Sequence, residues 1–223
     1  MTRADFRRGP ESYRRAAPTK SPRKTFLIVT EGKKTETNYL RSLCRKLNLS
    51  TAEVFVYHPE ATDPKSLTDE AIELSRARRR MAKKSYVVPY DEVWVVYDLE
   101  KPHDERRRLH SSQQGKQKAH GLLVAASDPC FEYWLLLHFQ YTTRPFADYN
   151  QVVKPLKKHL PNYEKASEIQ DSVLCRTPDA VKNAEKCRKH HNDSGGDGNP
   201  SSDVHLLVRS LNGAAADAFR FIL

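Results

Sequence analysis

The sequence predicts an α/β fold: a mainly parallel central sheet flanked by helices, with a helical C-terminal portion. Three observations predict it. Short apolar runs, such as Phe26-Leu27-Ile28-Val29 and Gly121 to Ala126, alternate with longer segments of helical spacing. The run Asp91 to Tyr97 is apolar on both faces, as in a sheet covered on both sides. Strands alternating with helices imply βαβ units and hence parallel pairing.

The elements follow in order. Thr25 to Thr30 is β-branched and apolar and predicts a buried first strand, ended by Glu31-Gly32. Tyr39, Leu40, Leu43 and Leu47 set a helix within Lys34 to Leu49. Glu53 to His58 predicts a second strand and Lys65 to Met81 a helix with Leu67, Ala71, Ile72 and Leu74 along one side. Asp91 to Tyr97 is a third strand, Glu105 to Ala119 a polar helix and Gly121 to Ala126 a fourth strand. Ser127 or Asp128 then caps a helix with Pro129 in its first turn, continuing through Phe131, Trp134, Leu135 and His138. Further helices are expected at Tyr149 to Leu160, Pro178 to His191 and Ser202 to Leu211, with Asn192 to Pro200 a loop by composition.

Composition narrows the function classes. The chain has 223 residues, with 38 Lys+Arg against 28 Asp+Glu, a formal net charge of +10. No apolar run approaches the ~20 residues a bilayer span needs, and the N-terminus lacks a signal-peptide core, so a cytoplasmic protein with no membrane partner is expected. The cysteines (Cys44, Cys130, Cys175, Cys187) form no CxxC pair. No GxxxxGK[ST], GxGxxG or GxSxG is present, which argues against a P-loop ATPase, a dinucleotide-binding dehydrogenase and an α/β-hydrolase.

The charge is uneven. Residues 1–24 hold eight basic side chains, including Arg7, Arg8, Arg14 and Arg15, against two acidic ones. They are expected to form a disordered basic arm ahead of a single domain over 25–223. The arm either follows a nucleic-acid backbone or only solubilises the chain. A second block holds Arg78, Arg79 and Arg80 near a helix end, where cations also suit the helix dipole. These are the candidate nucleic-acid contacts.

Ligands of parallel sheets bind outside the carboxyl ends of the strands. There the sequence places Glu31 after strand one and Asp98 with Glu100 after strand three. Asp98 and Glu100 share one side of an extended chain, and Glu31 reaches both if strands one and three are neighbours. Such carboxylates repel unless protonated or metal-bound, and oxygen-only ligation suits Mg²⁺ or Mn²⁺. On a basic protein this points to phosphodiester chemistry, with Lys34 or Lys33 on the phosphate. The alternative is that Glu31 and Glu36 only favour a helix N-terminus, while Asp98 and Glu100 begin a solvated loop.

Three segments carry a family resemblance. Phe26-Leu27-Ile28-Val29-Thr30-Glu31-Gly32-Lys33-Lys34-Thr35-Glu36-Thr37-Asn38-Tyr39 resembles the opening motif of the RloB-like family. Val93 to Glu100 resembles its strand with a terminal acidic pair, and Ser127-Asp128-Pro129-Cys130-Phe131-Glu132-Tyr133-Trp134-Leu135-Leu136-Leu137-His138-Phe139 its most specific block. The resemblance implies a TOPRIM-like fold, a role in bacterial phage defence or abortive infection, and an AAA-type ATPase partner. It implies a metal-dependent nuclease in which Glu31 serves as acid or base and Asp98 and Glu100 hold metal. Glu100 departs from the family pattern, where Asp is usual. Glu132 is an added acid or metal ligand, or a buried structural acid. A non-catalytic subunit that binds nucleic acid or the ATPase is the second reading, and homo-oligomer formation stays open.

Overall fold

A computed structural model of the chain describes residues 24–32, 34–49, 52–56, 63–100, 103–195 and 198–223. The proposed arm, including Arg7, Arg8, Arg14 and Arg15, and Lys33 lie outside the described residues.

Four strands build the parallel sheet: β1 (Phe26–Thr30), β2 (Ala52–Val56), β3 (Glu92–Asp98) and β4 (Leu122–Asp128). The order is β2-β1-β3-β4-β5, where β5 (Ser201–Ser202) is a two-residue antiparallel addition to the end of β4. Helices α1 (Thr35–Lys46), α2 (Pro64–Ala82), α3 (His103–Ala119) and α4 (Phe131–Leu137) follow the four long strands in turn. The rest is helical: α5 (Tyr149–His159), α6 (Asp171–Leu174), α7 (Thr177–Ser194) and α8 (Val204–Ala214).

Alternation along the strands sorts the core into two layers. Phe26, Ile28, Trp94, Val96 and Ala125 face α1, α4, α5, α7 and α8. Leu27, Val29, Val93, Val95 and Tyr97 face the other way, against Leu67, Ala71 and Ile72 of α2. Every residue of β1 is buried, as expected of a central strand covered on both faces. All seven residues of α4 are buried too, with Tyr39 of α1 edge-on to Phe131 and Trp134. The Tyr39 hydroxyl lies 3.2 Å from Nε2 of the buried His138, whose pKa burial pulls down to about 4.

Two expectations need correction. Neither Ser127 nor Asp128 caps α4; both stay in β4, and Cys130 is the capping residue. The reason is pairing: Ser127 and Asp128 lie opposite Ser202 and Ser201, and the Asp128 carboxylate accepts from Arg107 at 2.5 and 3.0 Å instead of from helix N–H groups. The expected loop from Asn192 begins late. α7 runs on to Ser194 and stops at Gly195, whose φ of 63° ends the helix in the left-handed region.

Register aligns the strand ends. Thr30 lies beside Val96, and Asp98 beside Ser127, so the turns after β1, β3 and β4 open on one edge. Because α2 returns antiparallel to the strands, its last turn lies at the opposite edge; there Arg78 donates from Nε to the Val88 carbonyl at 2.9 Å. Arg78, Arg79 and Arg80 are thus separated from the carboxylates by the length of β3, roughly 20 Å.

Candidate active site

Glu31 is the first residue after β1, and its backbone N–H still continues the ladder, donating to Val96 at 3.0 Å. Its carboxylate accepts from the backbone N–H of Asp98 at 3.2 Å and from Arg106 Nη2 at 2.5 Å. Arg106 Nε donates in turn to the Asp98 carbonyl at 2.7 Å. One guanidinium from α3 therefore ties the end of β1 to the end of β3.

Gly32 lets α1 start close to that edge. A Cβ on Gly32 would fall 1.8 Å from Oε2 of Glu36, so the Glu36 carboxyl occupies the space a side chain would fill. Glu36 is buried. Burial drives its pKa up from 4.5 to about 7, with the charges of Glu132 and Glu31 adding to the rise and Lys165 opposing it. Asp98 is pushed well above the ordinary carboxylate range, first by burial, then by Glu36, Glu132, Glu31 and Glu100.

Glu132 comes from α4. It is 2 % exposed and accepts from the Tyr163 hydroxyl at 2.9 Å. Lys165 stands with its ammonium 4.1 Å from the Tyr149 ring centre. Burial works against the Lys165 charge, yet Glu132, Glu100, Tyr149 and Asp98 outweigh it and raise its pKa. The structure thus brings together Glu31, Asp98, Glu100 and Glu132 as one electrostatic cluster and adds Glu36. Lys34, the residue before α1, is exposed beside that edge. His110, next to the basic run of α3, is held at 2.6 Å from the Tyr97 hydroxyl, and burial lowers its pKa.

The three motif segments hold this cluster in a single fold, and a family model described as RloB-like protein matches residues 26–211. The chain belongs to the RloB-like family. No curated protein and no solved structure matches it. For this RloB-like chain, the motif residues Glu31, Asp98, Glu100 and Glu132 are therefore also the ones whose charges interact.

Sequence reading had passed over four contributors. Glu36 read as an ordinary helix N-terminal acid, because its placement on Gly32 is a matter of tertiary structure. Arg106 stands in the run Arg106-Arg107-Arg108, where nothing local marks one arginine over its neighbours. Tyr163 and Lys165 lie in the excursion between α5 and α6, where no local pattern marks them. The donors of the cluster are all oxygens, which fits Mg²⁺ or Mn²⁺. Among the described residues there is no group of three or more His, Cys, Asp or Glu that could hold a metal ion as the side chains stand. No helix among them is long and apolar enough to cross a membrane.

Proposed function

We propose that this RloB-like protein is a divalent-cation-dependent nuclease with a TOPRIM-like site, hydrolysing phosphodiester bonds in DNA or RNA. The observation that carries the reading is the carboxylate cluster at the ends of β1, β3 and β4, in which Glu36 and Asp98 resist ionisation. Crowded carboxyls that keep their protons can exchange them for a cation on drawing together. Asp98, Glu100, Glu132 and Glu31 would hold Mg²⁺ or Mn²⁺. A divalent ion bound there neutralises charge on a phosphate and makes water a stronger acid.

The chain's own residues supply the rest. Glu36, with a pKa of about 7, suits proton transfer near neutral pH better than Glu31, whose carboxylate is held by Arg106. Arg106 fixes the Glu31 carboxylate against β3. Lys165 and Lys34 would be the cations that meet a phosphate at this edge. The family resemblance supports a setting in bacterial phage defence beside an AAA-type ATPase.

The test is incubation of the purified protein with labelled DNA and RNA in Mg²⁺ or Mn²⁺, beside Glu31→Gln, Asp98→Asn and Glu36→Gln. Cleavage lost in all three with binding retained supports the reading, and cleavage unchanged in all three overturns it. A second reading, a non-catalytic subunit binding nucleic acid or the ATPase, is favoured by the ion pair of Glu31 with Arg106, which already engages one would-be ligand. It predicts binding without cleavage in the wild type, with the ATPase present or absent.

A further inference from the structure

Away from the carboxylate edge, the segment after α4 crosses the surface between α5 and α7. It is pinned there: Asn183 donates to the Leu137 carbonyl at 2.8 Å, and the Tyr133 hydroxyl to the Thr142 carbonyl at 2.7 Å. On its α5 side lies a cleft lined by Arg144, Lys154 and Lys158. On its α7 side lies a second, lined by Arg176, Lys182 and Lys186. His159 joins the two. It follows Lys158 in the chain, lies 3.1 Å from Gln140 of the second cleft, and stacks on Phe139 at 5.0 Å with an interplanar angle of 6°.

Two of the cations are held in place by their neighbours. Arg176 lies 5.4 Å from the Phe139 ring centre and donates to the His138 carbonyl at 3.1 Å. Lys186 sits 4.2 Å from the Tyr141 ring centre. Asp179, 3.9 Å from Arg176, is the single acid lining either cleft. Among the described residues Arg144, Lys154, Lys158, Lys182 and Lys186 enter no ion pair. A solvated face of a protein usually mixes its signs; these clefts set six cations against one acid.

We propose that this surface binds a nucleic-acid strand through its phosphates. Lys182 and Lys186 stand one turn apart on α7, about 6 Å along its axis, and can meet separate phosphates. The rings hold Arg176 and Lys186 in place, and the exposed Arg176 and His159 are planar groups for bases to lie against. An acidic protein would present scattered carboxylates, whereas a strand offers the regular line of charge that two adjoining clefts follow. α7 carries the surface toward the carboxylate edge, because its C-terminal part packs beside the turn that leads into β5: His191 lies 2.9 Å from the Pro200 carbonyl. The proposal stands whether or not the carboxylates cleave.

Fluorescence anisotropy of the full chain in EDTA tests it, with labelled 30-nucleotide RNA, the same DNA single strand and a 30-base-pair duplex. EDTA separates binding from cleavage, so failure here leaves the nuclease reading to its own assay. Lys182→Gln with Lys186→Gln is expected to weaken binding about tenfold at low salt and to lower the slope of log K against log salt by about 1.4–1.8, two phosphate contacts. Arg144→Gln with Lys154→Gln and Lys158→Gln is expected to lower it by about 2–3. Lys83→Gln with Lys84→Gln, at the C-terminal end of α2, removes the same charge as the first pair from the opposite face of the sheet and is expected to leave the slope unchanged. Circular dichroism should show all three variants folded, since every substituted side chain is exposed. Equal losses in the α2 and α7 pairs, an unchanged slope in both cleft variants, or competition by poly-glutamate as effective as by oligonucleotide would each overturn the proposal.

Discussion

Arg106 donates to the Glu31 carboxylate at 2.5 Å while its Nε holds the Asp98 carbonyl, so a helix residue joins the ends of two adjacent strands. Both partners of the ion pair are largely buried, with side chains 12 % and 18 % exposed. Losing one partner leaves the other charge poorly solvated. Arg106→Gln is therefore expected to destabilise the protein by about 2–3 kcal/mol, read from urea denaturation. A loss below about 0.5 kcal/mol would show the pair to be surface decoration.

Glu36 gives stability a pH dependence of known sign. Its folded-state pKa of about 7 lies above the 4.5 of an ordinary glutamate. Folding therefore favours the protonated form: the contribution is intact below about pH 4.5 and is lost as pH rises through about 7. Glu36→Gln stays neutral throughout. The variant should be more stable than wild type at pH 8, by about 2–3 kcal/mol, and little different at pH 4.5. Parallel stability profiles from pH 4 to 8 would contradict the burial argument.

Gly32 makes a related prediction. A Cβ there meets the far end of a flexible side chain, so Gly32→Ala should cost little stability, under about 1 kcal/mol. What changes is where the Glu36 carboxyl sits. Carboxyl-carbon NMR should find the Glu36 titration moved from about 7 back toward 4.5. An unmoved midpoint would mean that burial does not depend on this contact.

Divalent ions offer the most direct probe of the cluster. If the proposed site binds Mg²⁺ or Mn²⁺, a concentration ten times Kd is expected to add about 1.4 kcal/mol, or about 3–6 °C in Tm for a chain of this size. At a fixed ion concentration the rise should be larger at pH 8 than at pH 5, because Glu36, with a pKa of about 7, loses its proton over that range. Asp98→Asn with Glu132→Gln should abolish it. An equal rise in that double variant would place the ion elsewhere.

Much of the architecture was legible because the strands announce themselves twice, by composition and by their turns. β1 and β3 are apolar runs ended by Glu31-Gly32 and Asp98, and their neighbouring register put Glu31 next to Asp98 as the spacing suggested. Local signals failed where a distant partner decided. Asp128 has the chemistry of a helix cap, but pairing with β5 and the Arg107 guanidinium claimed it for the strand. Asn192, Asp193 and Ser194 have loop composition, yet the helix holds until Gly195 can take a positive φ. Arg78 to Arg80 carry the right charge for phosphate, but the sense of α2 carries them to the far edge. Lys165 had no sequence mark at all, since its meaning comes only from the acids it faces.

The excursion that delivers Tyr163 and Lys165 has a consequence for synthesis. Glu31, Asp98, Glu100, Arg106 and Glu132 are all translated before either of them. At roughly 5–20 residues per second, the ribosome takes about 2–7 s to travel from Glu132 to Lys165. For that interval the emerging chain has its acids without the ammonium and phenol that later face them. The emerging acids should thus be most receptive to a cation before Lys165 clears the ribosome behind them.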